Sequence, residues 1–285
     1  MQLNWNDVAE NMKQMEKAES TKLDPAKPII IRLDMRSGGS FVKGLQKPFD
    51  ENFTKAMTTT AQKLAEQVQG AQLAYVGSDE ITLVLMNNGT KQYFTPFFDG
   101  KLQKIVSLTA AIATAEFNKR WLELIQAQED EEYKQVLSSK LFHARFDSRA
   151  FNIEGGLAEA LLSVWWRVND VRKNSIQMLA RKYFSQKQLN NVKATQMLQM
   201  LEEIGHPWDT EVYKTNKYGD IFIREAYLGE GYNPKTKQVV ETVRHAWFNS
   251  SEENLVQFQQ ISQLDDFMDT DICKRLKNEV QDGTV

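Results

Sequence analysis

The chain has 285 residues, of which 41% are hydrophobic, enough to bury one large core or two modest ones. Its single cysteine, Cys273, excludes an intramolecular disulfide framework, and His143, His206 and His245 are too widely spaced for a zinc motif. With 35 Lys plus Arg against 38 Asp plus Glu, the net charge of −3 hides any local patch, so it neither advertises nor excludes a nucleic-acid partner.

Residues 4–19 read as a helix, with Val8, Met12 and Met15 at turn spacing, and the run LDPAKP breaks it. PIIIRLD, residues 28–34, is a short buried strand that ends on a charge. Residues 51–68 lack Gly and Pro and predict a helix. Residues 72–76 and 81–86 predict the strands of a hairpin around Gly77-Ser78-Asp79-Glu80. A long helix follows over 100–126, and 143–151 returns to a strand pattern.

The order β-α-β-β-α-β over residues 1–150 is that of an α+β ferredoxin-like domain, and it sets the end of the first strand beside the central hairpin. Residues 151–285 have a different texture and form a second region. Helices are expected over 156–184 and 192–204, a loop over 205–215, a hairpin from 219–228 and 238–248, and a final helix over 261–280. No stretch approaches the roughly 20 apolar residues of a membrane span, and the first residues carry no apolar core flanked by basic ones; a soluble cytoplasmic protein is expected.

Two adjacent carboxylates at a hairpin tip are costly unless the charge is used. Gly, Ser and Asp are also ordinary turn formers, so GSDE alone reads first as a turn. Asp34 in RLDMRSGGSF offers a hard oxygen ligand beside exposed amides of Ser37, Gly38, Gly39 and Ser40, which read equally as a plain turn or a phosphate cradle. Lys101 and Lys104 share one face at the start of the long helix. A solvated face is the simpler reading, but the topology suggests that this helix start returns toward the carboxylates. Asp34 and Asp79 with nearby cations would suit two-metal phosphoryl transfer. Asp147 and Arg149 read as a strand-edge ion pair. In WWRVNDVRKN, Trp165 and Trp166 read as core, although aromatics interleaved with Arg167, Arg172 and Lys173 also suit RNA.

Taken together, IRLDMRSGGSF, KPFDENF, LAYVGSDEITLVL, GKLQKIVS, FDSRAF and WRVNDVRKN resemble the tRNA(His) guanylyltransferase family, in particular its Thg1-like branch of 3′-to-5′ polymerases. The pieces span most of residues 1–205, in the family's order and spacing. The resemblance implies a palm domain in which Asp34, Asp79 and the Met35 carbonyl hold two Mg2+ ions and Glu80 supports activity. Residues Arg32, Asp34, Met35, Arg36, Ser37, Gly38, Gly39, Ser78, Asp79, Lys101 and Lys104 would bind the nucleotide. Lys47, Asp50, Arg167, Asp170, Arg172 and Asn174 would support the site or bind RNA.

Implied partners are tRNA or a similar RNA and nucleoside triphosphates, with ATP or GTP activating the 5′ end, no membrane, and a homotetrameric assembly. The implied activity is 3′-to-5′ nucleotide addition to a tRNA 5′ end, including 5′-end repair and guanylate addition to tRNA(His). Two other readings keep the same residues: a cyclase-like palm enzyme acting on free NTP, and a non-catalytic RNA-binding protein. Two departures from the family bear on the site. Met35 replaces its usual Gly, and Gly38-Gly39 replace Phe-His, which removes aromatic contacts to a base. A third departure lies on the second-half helix, where Asp170 precedes Val-Arg-Lys-Asn-Ser and only Asn174 fits the eukaryotic run. That change speaks for templated 5′-end repair over obligatory guanylate addition.

Overall fold

The computed structural model describes residues 4–18, 20–87, 94–249 and 264–281. Six strands form one antiparallel sheet in the order β4-β1-β3-β2-β5-β6, from β1 (Ile29–Met35), β2 (Ala71–Gly77), β3 (Glu80–Leu85), β4 (Phe146–Asn152), β5 (Asp220–Asn233) and β6 (Gln238–Asn249). The first four strands carry the 4-1-3-2 order of the predicted ferredoxin-like palm. The expected second-half hairpin extends this sheet, because β5 pairs with β2 through Leu73↔Ile223 to Val76↔Asp220.

Alternation along the strands decides what each face touches. Ile29, Ile31, Leu33 and Met35 of β1 join Ile81, Leu83 and Leu85 of β3 in a core with α3 (Glu51–Gln67) and α4 (Leu102–Ala127), completed by Phe41, Phe117 and Trp121. Ile30, Tyr75 and Val84 face the other way. They pack against α6 (Gly156–Tyr183), α8 (Ala194–Glu203), α9 (Trp208–Glu211) and α11 (Asp271–Gln281). The central strands β1, β2 and β3 are therefore apolar on both faces along most of their length, charges entering at Arg32 and Asp34 of β1 and at Glu80 of β3, whereas β4, β5 and β6 carry charged residues along their length.

The remaining elements are short. Helix α1 (Trp5–Ala18) buries none of its residues, α2 (Gly38–Phe41) follows β1, and α5 (Glu131–Ser138) follows α4. Helix α7 (Gln186–Leu189) follows α6, and α10 (Lys214–Tyr218) lies in the expected loop together with α9. Of the helix expected over 261–280, residues 261–263 lie outside the described residues; a 3-10 turn, Leu264–Asp269, precedes α11. No helix among the described residues is long and apolar enough to cross a membrane.

Candidate active site

Strand register gathers three carboxylates. Asp34 stands opposite Glu80 on β3 and opposite Asp147 on β4, so all three project from the α6 side of the sheet. Directly opposed residues have Cβ atoms about 5 Å apart, and like charges in that relation repel. Asp79, at the tip of the two-residue turn between β2 and β3, completes the group. Its backbone carbonyl accepts a hydrogen bond from the Met35 amide at 3.0 Å, which ties the turn to the end of β1. Asp34 and Asp79, distant in sequence, are thus neighbours as the topology required.

The electrostatics record this crowding. Burial raises the Asp34 carboxyl to about 6, with the charges of Asp79, Glu80 and Asp147 and a hydrogen bond shared with Glu80 acting in the same direction. Asp79 is also raised, first by burial. The Ser78 hydroxyl, which donates to its Oδ1 at 3.1 Å, opposes that rise. Ser78 and Ser37 both adopt left-handed backbone, with φ of 56° and 59°. Such conformations cost about 1–3 kcal/mol each and cluster where a loop is over-determined for a task.

Glu80 has a different environment. Its carboxylate accepts a 2.6 Å ion-paired hydrogen bond from the Arg167 guanidinium, which also reaches Asp170 at 3.3 Å. Arg167 is buried, and its guanidinium lies 3.8 Å from the centre of the Trp166 ring. Side-chain alternation keeps Glu80 on the same face as Asp34, and a salt bridge engages it there. Trp165 is half-buried as expected, but Trp166 is 55% exposed; position 166 points away from the sheet because the helix turns 100° per residue.

Beside Asp79 opens a recess of about 250 Å³ lined by Gly38, Gly39, Lys47, Asp50, Ser78 and Asn174. The Asp79 carboxylate occupies space that a side chain at 38 would need: a Cβ there would meet Oδ2 at 2.0 Å, whereas one at Gly39 meets nothing within 4 Å. Met35 turns into the core and is buried, so its bulk does not obstruct the turn. Arg32 shares the face of Asp34, flanked by Thr82 and Arg149, and Arg36 is exposed just beyond it. Asp50 is buried and caps α3, accepting from the Phe53 amide at 2.9 Å and from the Tyr133 hydroxyl; its role here is to hold the loop that carries Lys47.

Two expectations need correction. Lys101 and Lys104 do not return to the carboxylates. Strand β3 runs away from the turn, so α4 must begin at the far end of the sheet. Thr109 meets Ser148 at 2.8 Å, Thr114 meets the Phe146 amide at 3.1 Å and Asn118 meets the Ala144 carbonyl at 3.1 Å, which shows α4 travelling back toward the site. The backbone of Lys101 instead pairs antiparallel with that of Lys22, at the end of the sheet where Ile29 pairs with Asn152, roughly 17 Å of strand from Asp34. Arg172 does not line the recess beside Asp79; its guanidinium lies 5.4 Å from the Trp208 ring on another face of α6. The exposed Trp166 is the second correction.

Asp147 is the residue the sequence reading placed too narrowly. Its expected pair with Arg149 is present at 3.6 Å, yet it also stands opposite Asp34. The palm order sets the start of β4 against the end of β1, which is the signal that could have located it.

Among the described residues no group of three or more His, Cys, Asp or Glu side chains could hold a metal by itself. The donor set nonetheless fits Mg2+. This ion takes hard oxygens, needs only one or two protein carboxylates, and completes its shell with water and substrate phosphates. Crowded carboxylates with raised proton affinity are groups that a cation relieves. One consequence can be checked directly. Because Asp34 holds its proton more tightly folded than unfolded, stability without metal falls as pH rises from about 4 to about 6 and stays lowered above that. Asp34→Asn is therefore expected to raise the melting temperature of the Mg2+-free protein at pH 7.5, with the gain shrinking as pH falls from 6 to 4; thermal melts across that range measure it.

A palm sheet with two crowded aspartates at its hairpin, beside a recess floored by glycines, is the framework of a nucleotidyltransferase. The sequence profile of the family described as tRNA(His) guanylyltransferase matches residues 9–154, and the chain belongs to that family. It is similar to a bacterial tRNA(His) guanylyltransferase-like protein solved in complex with ATP, at 30% identity and a TM-score of 0.67 over 83% of this chain and 91% of that one. A bacterial tRNA(His) guanylyltransferase-like protein in complex with GTP matches at 28% identity and a TM-score of 0.64, over 90% and 100% of the two chains. The tRNA(His) guanylyltransferase of Saccharomyces cerevisiae shares the fold at 20% identity and a TM-score of 0.57, over 74% and 90%. An uncharacterized protein of Acanthamoeba polyphaga mimivirus is 25% identical over 227 residues, 76% of this chain and 77% of its own.

Proposed function

We propose that this nucleotidyltransferase adds nucleotides in the 3′-to-5′ direction to the 5′ end of tRNA or a similar RNA, with repair of truncated 5′ ends as its leading task. The observation that carries the reading is the pairing of Asp34 with Asp79 at the mouth of the Gly38-Gly39 recess, in a family whose bacterial relatives are solved with ATP and GTP. Asp34, Asp79 and the Met35 carbonyl would hold two Mg2+ ions. When bound, these supply charge stabilisation for the attacking and leaving oxygens of phosphoryl transfer.

The residues then divide the work. The recess would take ATP or GTP, with Gly38 and Gly39 admitting the nucleotide close to the backbone, and Arg32, Arg36, Ser37 and Ser78 would receive phosphate oxygens. A 5′-phosphate oxygen of the RNA attacks the α-phosphorus of ATP, and pyrophosphate leaves. The 3′-hydroxyl of an incoming nucleotide then attacks the activated 5′-phosphorus, and AMP leaves as the new phosphodiester forms. Both displacements need the same alignment of oxygen, phosphorus and leaving group, so one site serves both. Arg167 partly offsets the Glu80 charge beside Asp34. Asn174 and Lys47, which line the recess, would contact the RNA.

The homotetramer that the family resemblance implies has a candidate surface in the outer part of the β5–β6 hairpin, where Tyr227, Leu228, Tyr232, Val239 and Val243 are exposed. To test the reading, 5′-truncated, 5′-phosphorylated tRNA is incubated with ATP, NTPs and Mg2+ and resolved at single-nucleotide length. Elongation of the 5′ end is expected. Turnover of free NTP equally fast without RNA would replace this reading with a cyclase-like one.

A further inference from the structure

A second recess lies at the other end of the sheet, and its origin is a failure of strand pairing. Strand β5 stays with β2 only as far as Leu73↔Ile223; beyond Ile223 it continues with β6 alone, so a gap opens beside the end of α3. A bulge between Ala71 and Leu73 falls at the same place. Bulges re-aim side chains, and here Gln72 lines the gap together with Ala71 while Leu73 packs on the α6 side. The recess measures about 340 Å³, within the size range of small-ligand sites, roughly 300–1,000 Å³.

Its lining carries chemistry that the site above does not use. Gln72 is 4% exposed, and its Oε1 is buried without a hydrogen-bond partner. An orphaned buried acceptor is costly and calls for a donor. Arg224 stands directly across the strand pair from Trp247, and His245 follows two residues along on the same face. Phe94 and Trp247 are half-buried at the margin of the core and present ring surface to the recess. Among the described residues of the lining the one carboxylate is Glu66, which pairs with Lys63 at 2.7 Å. Burial, and then the charge of Arg224, lowers the proton affinity of His245, consistent with an uncompensated positive centre.

We propose that this recess binds one nucleotide unit: a base that offers an N–H to Gln72 Oε1 and lies against Trp247 or Phe94, with its phosphate on Arg224. An aromatic surface, an acceptor for a base edge and a guanidinium for phosphate are the three elements of single-nucleotide recognition. The unit is either a free mononucleotide or one residue of a bound RNA strand. The inference rests on the reading that the chain handles nucleotides, and it places a second nucleotide site away from Asp34 and Asp79.

Photolabelling of the full chain tests it, using 8-azido-AMP and, separately, a single-stranded RNA hexamer containing 8-azidoadenosine, with labelled peptides identified by mass spectrometry. Label is expected on the peptides holding Phe94 or Trp247, reduced about tenfold by Arg224→Ala. The near-isosteric Gln72→Leu should erase any advantage of AMP over purine riboside 5′-monophosphate, which lacks the amino group, as a competitor. Label from the hexamer alone assigns the site to an RNA strand, and label from the mononucleotide assigns it to a free nucleotide. Label confined to the recess of Gly38 and Asp79, or undiminished in Arg224→Ala, overturns the proposal. Asp79→Ala separates the two readings: it should stop 5′-end addition while leaving the Trp247 label in place.

Discussion

Asp79→Ala is expected to lower 5′-end nucleotide addition by about 10³-fold or more, the scale of several kcal/mol of lost charge stabilisation in a metal-assisted phosphoryl transfer. The reasoning begins with the turn. Asp79 is held by a two-residue connection between Gly77 and Glu80, and its carboxylate sits against Gly38 at the mouth of the recess. Burial makes its ionised form costly, and the Ser78 hydroxyl offsets only part of that cost. Such a group gains most from a bound cation, so its removal should strike metal-dependent chemistry first. The fold should survive, because the tie to β1 runs from the Met35 amide to the backbone carbonyl of residue 79, which alanine retains. Activity is read by 5′ extension of truncated tRNA and folding by a thermal melt. Activity within tenfold of the parent would remove Asp79 from the chemistry.

Arg167→Ala is expected to destabilise the fold by about 2–4 kcal/mol and to impair catalysis as well. Breaking a buried ion pair from one side leaves its partner uncompensated, at about 3–5 kcal/mol when both groups are fully buried. Glu80 retains 24% of its side-chain exposure, so the expected loss falls about 1 kcal/mol below that scale. The charge left on Glu80 lies directly opposite Asp34 and would raise the proton affinity of that carboxyl further, weakening cation binding near neutral pH. In the double variant with Glu80→Gln the orphaned charge is gone, and much of the stability should return. A denaturant-unfolding cycle of the four proteins measures the coupling. Purely additive effects would show that the pair contributes little.

These two sites also show how far the residues could be read without coordinates. PIIIRLD and the hairpin around GSDE were legible because apolar alternation that stops at a charge marks the end of a buried strand, and palm order then brings Asp34 to Asp79. Asp147 was legible only in part: FDSRAF shows the alternation, but its place opposite Asp34 depends on strand register. The ion pair of Arg167 with Glu80 spans 87 positions and follows from the path of α6 across the sheet, which periodicity does not fix. Lys101 and Lys104 went astray because a helix that follows a strand begins where that strand ends, and β3 ends away from its own turn.

The sequence by itself determined the strands and the long helices, the order of the first four strands, the family and the aspartate pair, because each is encoded in local periodicity, turn chemistry or motif order; the short helices such as α5 and α9 it did not. Only the tertiary structure decided which charges meet. It set Asp147 and Glu80 on either side of Asp34, gave Glu80 to Arg167, moved the lysines to the far edge and opened the gap beside Gln72. Those outcomes depend on strand register, helix direction and the point where two strands part company, and all three are properties of packing between segments that are remote in the chain.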